Sequence, residues 1–373
     1  MASLIPRLIK ELKADLSLLN LPDNSRTDES LKISVIIPAK DESSTIEAVA
    51  KAILDSSYRN IELIMVDDRS VDNTFELMEK VKQSDDRVKI ASLKDLPNNW
   101  TGKTHALHHG VSMATGDLFL FTDADAFFSH DIIERGLNHL RVSRVDVLSL
   151  LPGFKDSGFL EKAIYPHLGL GLSYFYPMSE VNDPGIPESA LASGCFIMVS
   201  KQAYDRLGGW RRFRSEITED IAFSKAAKLA GMDISVKLAG PRLTTKPFSS
   251  LHELKGFWVR TFYGGLNKSL SSALTLLVNY GSLSVICGLF IAYLIKSTIS
   301  VPDTLEQYVI IASGLAVLGI IGSTCVFLNK YNGAPYYGVF GAAGVVIGAW
   351  IAFEVVKDIL LGNGILWRGA RYK

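Results

Sequence analysis

The chain has 373 residues, which is enough for about two average domains. Its 39 basic and 39 acidic side chains give a formal net charge of zero, so the composition does not indicate a nucleic-acid partner. The three cysteines have neither CxxC nor Cys/His spacing, which argues against a disulfide framework or a zinc site.

Residues 1–30 combine an amphipathic pattern with a polar, turn-rich linker. The pattern consists of leucines at helical spacing with basic residues on their flanks, namely Leu4, Leu8, Leu12, Leu16, Leu19, Arg7, Lys10 and Lys13. Charges interrupt any apolar core, so the segment does not read as a secretory signal peptide. A helix lying on a membrane surface and a helix packed on a globular domain both remain open.

Strand-like and helix-like segments alternate after the linker. Strands are expected at residues 33–37, 61–66, 88–93, 118–121 and 195–200. Helices are expected at about 45–54 and 73–83, from about 103, and at 218–230. Continuously apolar strands indicate a sheet that is covered on both faces, so we predict an α/β domain over residues 31–250.

Two acidic pairs follow predicted strands. Asp123 and Asp125 come directly after an apolar run, and two carboxylates held so close repel each other. A divalent cation would relieve this repulsion, because hard cations prefer clustered carboxylate oxygens. Asp67 and Asp68 end another strand, where a simple turn with Asx hydrogen bonds is the alternative. Ligands of open α/β sheets bind beyond the carboxyl ends of strands, so both pairs can face one crevice.

Two predicted helix starts carry charged residues. Gly102 and Lys103 begin one helix, where free N–H groups and a lysine favour a phosphate, although a surface helix capped by Thr101 fits equally well. Glu219 and Asp220 begin another, where acidic residues ordinarily interact with the helix dipole. A functional role requires Asp220 to reach the crevice of the acidic pairs. No GxGxxG follows the first strand, which argues against a nicotinamide or flavin enzyme.

The C-terminal third is strongly apolar and raises the mean hydropathy of the chain to +0.20. Residues 269–295, 307–329 and 331–353 carry no Asp, Glu, Lys or Arg, and each run reaches the roughly 20 residues of a membrane-spanning helix. We therefore predict a transmembrane region over residues 269–361. Residues 251–268 mix aromatic and basic side chains, which is typical of a helix at the lipid–water interface.

Six segments, in their order and spacing, resemble those of the family 2 inverting glycosyltransferases with the GT-A fold. They are "SVIIPAKDES", "IMVDDRSVDNT", "WTGKTHAL", "FTDADA", "ASGCFIMVSKQAYDRLGGW" and "ITEDIAF". The closest branch is the membrane-anchored one with ceramide glucosyltransferase and bacterial carotenoid and hopanoid glycosyltransferases, which "LWRGARY" near the C-terminus also resembles. The resemblance implies a GT-A-type nucleotide-sugar-binding domain with a mixed, mainly parallel sheet, followed by C-terminal transmembrane helices.

The resemblance also implies roles for individual residues. Asp123 and Asp125 match the DxD motif, which holds Mg²⁺ or Mn²⁺ against the diphosphate, and Asp220 matches the catalytic base. Asp68 matches a position facing the nucleotide base, and Lys103 a basic residue near the nucleotide. The residues expected to bind the nucleotide sugar are Pro38, Glu42, Asp67, Asp68, Lys103, Asp123, Glu219, Trp258 and Arg260.

One departure from the family concerns its Gln-x-x-Arg-Trp motif before the membrane. Here the segment reads "KGFWVRTF", so Lys255, Trp258 and Arg260 are candidates to replace that motif in contacting the diphosphate. The departure also argues against a processive polysaccharide synthase, in which the motif is prominent.

The sequence therefore predicts a metal-dependent inverting enzyme that moves a sugar, expected to be UDP-linked, to a lipid hydroxyl. Displacing a nucleoside diphosphate builds negative charge that a cation stabilises, while a carboxylate removes the proton of the acceptor hydroxyl. A polyprenyl-phosphate sugar synthase and an inactive membrane scaffold are the alternatives. The identity of the sugar, the acceptor and the oligomeric state are left open.

The expected topology contains a conflict. Nucleotide sugars are cytosolic, so a multi-pass protein with a cytoplasmic catalytic domain and three crossings would place its tail outside. The tail, residues 362–373, is basic, and positive residues prefer the cytoplasmic side. Either one apolar run does not cross fully, or the rule fails for this protein.

Overall fold

The computed structural model describes residues 30–153, 158–331, 333–362, 364–367 and 370–372. The helix expected within residues 1–30 lies almost wholly outside this part of the chain. Close contacts divide the described residues into two compact units. The sheet unit contains residues 30–153 and 178–246. The apolar unit contains residues 158–177 and the described residues after 246, so it takes in a piece of chain from between two parts of the sheet unit.

The sheet unit is built on parallel strands with helices between them. Its strands are β1 Ile33–Ala39, β2 Ile61–Asp68, β3 Val88–Leu93, β4 Leu118–Phe121, β5 Ala126–Phe128, β6 Val147–Leu151, β7 Ile197–Ser200, β8 Ile234–Leu238 and β9 Leu243–Thr245. Its helices are α1 Ile46–Leu54, α2 Thr74–Ser84, α3 Gly102–Met113, α4 Ile132–Ser143, α7 Met178–Val181, α8 Lys201–Arg206, α9 Gly209–Arg212 and α10 Glu219–Leu229. The five predicted strands and four predicted helices are all present.

Seven strands form the main sheet in the order β3-β2-β1-β4-β7-β6-β8. Strand β7 runs antiparallel to both of its neighbours, and the other adjacent pairs are parallel. Strands β5 and β9 pair in a small second sheet. The predicted α/β domain with a mixed, mainly parallel sheet is therefore confirmed.

The core of the sheet unit follows from the apolar strands. Strand β2 is buried along its whole length, and six of the seven residues of β1 are buried. Helix α1 covers one face with Ile46, Val49 and Ile53, which recur at helical spacing. These contacts keep the central strands dry and fix where their carboxyl ends lie.

A charged residue inside this core has its own set of partners. The Glu62 carboxylate accepts hydrogen bonds from Ser34 Oγ at 2.6 Å and Thr115 N at 2.6 Å, and Lys89 Nζ lies 2.8 Å from its Oε2. Burial alone would raise its pKa, but the hydrogen bonds from Lys89, Ser34, Thr115 and Lys32 outweigh this effect. The pKa of Glu62 falls from 4.5 to about 2.

We expect Glu62→Gln to lower the free energy of unfolding at pH 7 by roughly 2 kcal/mol, because an ionised carboxylate with bound donors is lost. A depressed pKa contributes stability above pH 4.5 that is lost as the pH falls toward 2. The stability difference between wild type and variant should therefore shrink below pH 4.5. Thermal unfolding of the detergent-solubilised protein across this range measures it, with the exposed Glu79→Gln as the matched control. A difference independent of pH would contradict the assignment.

The apolar unit consists mainly of helices. They are α5 Phe159–Ala163, α6 Tyr165–Phe175, α11 Leu251–Gly265, α12 Leu270–Ser297, α13 Thr304–Lys330 and α14 Gly341–Leu360. A 3-10 helix at Pro335–Phe340 precedes α14, and β10 Ile365–Trp367 pairs with β11 Ala370–Tyr372 within the predicted basic tail. Within the described residues, three segments are long and apolar enough to cross a membrane: Leu270–Ser297, Thr304–Lys330 and Pro335–Leu360.

Glycines allow the helices of the apolar unit to approach closely. A Cβ on Gly344 would lie 2.8 Å from His167 Cβ, and one on Gly348 would lie 2.6 Å from the Tyr280 ring. Tyr280 Oη donates a hydrogen bond to the carbonyl of His167 at 2.8 Å. Helix α6 therefore packs against both α12 and α14, as expected for small residues at membrane-type helix contacts.

Candidate functional site

The carboxyl ends of the parallel strands bring three predicted site residues, Pro38, Asp67 and Asp123, to one edge of the sheet. In the register of β1 and β2, Pro38 is opposite Val66 and Ala39 is opposite Asp67. Strand β4 lies on the other side of β1 and ends at Phe121, just before Asp123. Because β7 is antiparallel, its first residue, Ile197, pairs with Phe121. The segment before β7 therefore reaches the same edge.

The backbone around the acidic dyad is held by long-range hydrogen bonds. Thr122 Oγ1 donates to the carbonyl of Cys195 at 2.7 Å. Lys246 N donates to the carbonyl of Asp125 at 3.1 Å, where the pairing of β5 and β9 ends. Asp123 and Asp125 are thus fixed from both sides of their turn.

Lys103 lies between the dyad and the acidic helix start. Its Nζ is 2.6 Å from Asp123 Oδ1 and 2.6 Å from Glu219 Oε1. Burial lowers the pKa of Lys103, but the charges of Asp123, Glu219 and Asp220 outweigh burial and raise it overall. The lysine therefore stays charged and joins the two acidic segments that the sequence places nearly 100 residues apart.

Helix α3 is positioned so that Lys103 can make both contacts. Thr101 caps the helix, its side chain accepting a hydrogen bond from Thr104 N at 3.2 Å. The carbonyl of Arg214 accepts from Thr101 N at 2.6 Å and from Thr104 Oγ1 at 2.7 Å. These bonds connect the first turn of α3 to the segment leading into α10. The sequence analysis left two alternatives for this helix start, a phosphate-binding site and a surface helix capped by Thr101. The cap by Thr101 is present in the structure.

Asp220 and Glu219 have different environments although they are neighbours. Glu219 is buried, with 3% of its surface exposed, and its carboxylate is bound by Lys103. Asp220 is half-buried, and its Oδ2 accepts a hydrogen bond from Gly194 N at 3.0 Å. The site thus contains one carboxylate that positions a lysine and one that remains partly open to a substrate.

Gly194 fills a gap in which no side chain fits. A Cβ at this position would lie 2.6 Å from Lys103 Nζ and 3.0 Å from Asp123 Oδ2. The neighbouring Cys195 Sγ donates to Asp123 Oδ2 at 3.8 Å. Burial raises the pKa of the Cys195 thiol, and the charges of Asp123 and Asp125 raise it further.

Gly194 and Cys195 are site residues that the sequence analysis did not single out. Their segment, "ASGC", begins one of the six segments that resemble the family, and its small residues were a signal of a close approach. A functional role for Asp220 required it to reach the crevice of the dyad, and the structure brings Asp123, Lys103, Glu219 and Asp220 together.

The loops after β1 and β2 form the neighbouring corner of the site. Asp68 is buried, and Arg69 Nε lies 2.8 Å from its Oδ1. A Cβ on Gly102 would lie 1.9 Å from Asp68 Oδ2, so the start of α3 passes directly over this carboxylate. Arg69 is a further residue that the sequence analysis missed.

Asp67 and Glu42 are held by hydrogen bonds in the same corner. Asp67 Oδ2 accepts from Ser92 Oγ at 3.0 Å, and its Oδ1 accepts from Ser70 N at 3.3 Å, the turn-type bond that the sequence left as the alternative. Glu42 N donates to Thr74 Oγ1 at 2.8 Å, and its Oε2 accepts from Thr45 Oγ1 at 3.2 Å. Asp67 therefore both closes its turn and lies at the sheet edge.

Trp258, Arg260 and Lys255 lie on α11 in the apolar unit. Trp258 is buried, with its ring centroid 4.8 Å from that of Tyr165. Lys255 Nζ is 3.9 Å from Glu354 Oε1, and the Arg260 guanidinium lies 5.5 Å from the Phe257 ring centroid. These contacts are made within the apolar unit, so the assignment of the three residues to the diphosphate stays a prediction.

The charge balance of the site favours a cation. Three carboxylates, Asp123, Glu219 and Asp220, act on the single ammonium of Lys103, and Asp125 adds a fourth negative charge near Cys195. Among the described residues, no group of three or more His, Cys, Asp or Glu side chains is arranged to hold a metal. A dyad of two carboxylates suits Mg²⁺ or Mn²⁺ bound together with substrate phosphates and water.

Comparison with known proteins shows which families and relatives this chain resembles. Residues 34–208 match the family model described as Glycosyl transferase family 2. A 4,4′-diaponeurosporenoate glycosyltransferase from Staphylococcus aureus is 26% identical over 266 residues, which cover 69% of this chain and 68% of the relative. A protein from Haemophilus influenzae described as an uncharacterized glycosyltransferase is 34% identical over 108 residues, 29% of this chain and 42% of its own length.

A solved structure has the same fold at low sequence identity. It is a mannosyltransferase from Pyrobaculum calidifontis in complex with GDP-Man and Mn²⁺. The TM-score is 0.52 and the sequence identity is 13%, and the match covers 97% of this chain and 95% of the mannosyltransferase chain. This likeness and the seven-stranded sheet confirm the predicted GT-A-type fold.

Proposed function

Because residues 34–208 match the family model described as Glycosyl transferase family 2, we propose that the protein is a family 2 glycosyltransferase that moves a sugar from a nucleotide sugar to a lipid hydroxyl, with inversion. The observation that carries this proposal is the cluster of Asp123, Lys103, Glu219 and Asp220 at the sheet edge. It combines a cation-binding dyad, a fixed positive charge and a half-open carboxylate, which are the groups that such a transfer requires.

The donor is expected at the carboxyl ends of β1, β2 and β4. Asp68 and Asp67, with Glu42 and Pro38 beside them, form a corner for the nucleoside, and Lys103 lies on the path toward the diphosphate. We expect UDP as the nucleotide, with Asp68 at the family position that faces the base. The P. calidifontis structure contains GDP-Man, so a GDP-sugar is the direct competitor in any test.

Asp123 and Asp125 are the residues proposed to hold Mg²⁺ or Mn²⁺. Their repulsion at a strand end and the surplus of negative charge fit a divalent ion, as does the presence of Mn²⁺ in the P. calidifontis structure. A bound divalent ion would act as a Lewis acid toward the charge on the leaving diphosphate. Lys103 adds a second positive charge at the same place, and Glu219 holds it there.

Asp220 is proposed as the general base. Its Oδ2 is held by Gly194 N and its Oδ1 by Ile221 N at 2.9 Å, so the carboxylate keeps one orientation while staying partly exposed. As the acceptor oxygen attacks the sugar carbon, Asp220 takes the hydroxyl proton and the bond to the diphosphate oxygen breaks. Attack opposite to the leaving group inverts the anomeric centre.

The acceptor class follows from the apolar unit. Three helices long enough to cross a membrane accompany the transferase domain, and the S. aureus relative is named for glycosyl transfer to 4,4′-diaponeurosporenoate. A hydroxylated or carboxylated lipid at the cytoplasmic membrane face is the expected acceptor class, with the hydroxyl preferred because Asp220 is placed to accept its proton.

A donor and acceptor screen tests the proposal. The protein reconstituted in lipid with Mn²⁺ is given UDP-glucose, UDP-galactose or GDP-mannose with lipid extracts, and release of UDP or GDP is measured. UDP release that depends on an added lipid alcohol is the expected result. Release with polyprenyl phosphate alone, unaffected by Asp220→Asn, would indicate a polyprenyl-phosphate sugar synthase. Failure of every nucleotide to bind would contradict enzymatic activity.

A further inference from the structure

The first two apolar helices form an antiparallel hairpin. A Cβ on Gly314 in α13 would lie 3.0 Å from the Phe290 ring in α12. Lys296, near the end of α12, pairs with Glu306, near the start of α13. The chain therefore leaves α12 and returns along it in α13 after the short link 298–303. We call the side at which α12 begins the near side and the side of this link the far side.

The third apolar helix runs antiparallel to the first. Ser284 Oγ in α12 donates to the carbonyl of Val345 in α14 at 3.5 Å. One turn earlier in α12, Tyr280 contacts Gly348, which lies about one turn later in α14. Helix α14 therefore runs antiparallel to α12, and its C-terminal end points toward the near side.

The C-terminal end of α14 lies beside α11, the helix that precedes α12. Lys255 Nζ in α11 is 3.9 Å from Glu354 Oε1 and 4.6 Å from the Trp350 ring centroid. Lys357 pairs with the same Glu354. The charged end of α14 is therefore on the near side. A chain that crosses a membrane three times needs its first and third helices to run in the same direction, and these two run in opposite directions.

The start of α14 lies part-way along α13, not at its far end. A Cβ on Gly341 would lie 2.7 Å from Thr324 Oγ1, and one on Gly338 would lie 2.3 Å from Cys325 Sγ. Thr324 and Cys325 are in the last third of α13, which ends at Lys330. After the near-side end of α13, the chain thus turns back only a short way before α14 begins.

The length and backbone of this segment agree with a partial crossing. Pro335–Leu360 reaches the length of a membrane span only when the 3-10 helix and the charged last turns of α14 are included. The uncharged helical residues 341–353 alone extend about 20 Å at 1.5 Å per residue, less than the hydrocarbon core of roughly 30 Å. The 3-10 helix Pro335–Phe340 packs on α13 through the buried Gly338. Irregular backbone at membrane depth is tolerated where it is buried in protein, and here Gly338 is buried against α13 while the side chains of Tyr336 and Val339 are exposed.

We propose that the segment from Tyr331 to Leu360 is re-entrant: it enters the bilayer from the near side and returns to that side. The protein then crosses the membrane twice, through α12 and α13, and its tail lies on the near side. The inference uses the membrane location but not the transferase activity.

This topology removes the conflict between the basic tail and the expected orientation. The near side collects the basic residues Lys268, Lys330 and Lys357, and the tail proposed to lie there has a basic sequence. The far-side link 298–303 contains no lysine or arginine, and Lys296 beside it is paired with Glu306. Positive residues mark the cytoplasmic side, so the near side is cytoplasmic, where nucleotide sugars are found.

Single cysteines labelled in intact cells test the proposal. In full-length protein with Cys195, Cys287 and Cys325 changed to alanine, one exposed residue at a time is replaced: His252→Cys for the near side, Ser300→Cys for the far side, and Leu361→Cys for the end of α14. A membrane-impermeant maleimide is added before or after permeabilisation. The Ser300 variant should label in intact cells, and the His252 and Leu361 variants only after permeabilisation.

The outcomes separate the two topologies. Labelling of the Leu361 variant together with the Ser300 variant in intact cells overturns the proposal, because α14 would then cross. Equal labelling of the Ser300 and His252 variants overturns it as well, because the hairpin would then not cross. A cysteine added after Lys373, which disturbs no packed helix, repeats the measurement on the tail. Resistance of each variant to carbonate extraction shows that it is inserted, and activity plays no part in the readout.

Discussion

Asp220→Asn is expected to lower the turnover number roughly 10²- to 10⁴-fold, the usual contribution of a general base. The amide cannot take the proton of the acceptor hydroxyl, yet it keeps the size of the side chain and an oxygen that can accept from Gly194 N. Affinity for UDP and Mn²⁺ should therefore change little. Steady-state UDP release with lipid acceptor, together with calorimetric titration of UDP, separates the two effects.

The control for this experiment is Asp205→Asn, which makes the same chemical change at an exposed position of α8. It should retain full activity and an unchanged thermal midpoint. Near-full turnover of Asp220→Asn would show that another group accepts the proton. A parallel loss of UDP affinity would show that Asp220 acts on the donor.

Asp125→Asn is expected to abolish the dependence of UDP binding on Mn²⁺ and to lower activity by about 10²-fold or more. The reason is that one of the two carboxylates facing the cation becomes neutral. Asp123→Asn should lose as much activity, but it also removes a partner of Lys103 at 2.6 Å. Asp125→Asn is therefore the cleaner test of metal binding.

UDP affinity measured with Mn²⁺ and with a chelator provides the readout. In the wild type we expect Mn²⁺ to strengthen UDP binding at least tenfold, and in Asp125→Asn the two affinities should become equal. The exposed Asp86→Asn is the matched control and should behave as the wild type. If Asp125→Asn kept the full effect of Mn²⁺, the dyad would not be the metal site.

The sequence was sufficient to predict β1 and β2, although each contains a buried polar residue, Ser34 and Glu62 respectively. Strands β6 and β8 were not predicted, and both carry polar residues at buried positions. Ser149 in β6 is fully buried, and its Oγ accepts a hydrogen bond from Ser193 N at 2.9 Å. In a strand of only five residues, one polar position removes a larger share of the apolar signal than in the longer β1 and β2, so hydropathy alone did not detect β6 and β8.

The acidic residues of the site could be predicted because carboxylates after strands and at helix starts are visible in the chain. The contacts that join these residues could not be predicted. The contact of Lys103 with both Asp123 and Glu219 depends on the insertion of β7 between β4 and β6, which brings the Gly194 segment to the sheet edge. Pairing between strands so far apart in sequence leaves no local pattern. The contacts of residues 158–177 could not be predicted either, because their partners in the apolar unit lie much later in the chain.

This late partnership has a consequence for how the protein can form. Helix α6 is synthesised before α12, α13 and α14, and its contacts with Tyr280 and Gly344 exist only once those helices have emerged. A truncated chain ending at Lys246 would therefore leave the apolar surface of α6 exposed to solvent and should aggregate. Assembly of the membrane part must also wait until translation is nearly finished.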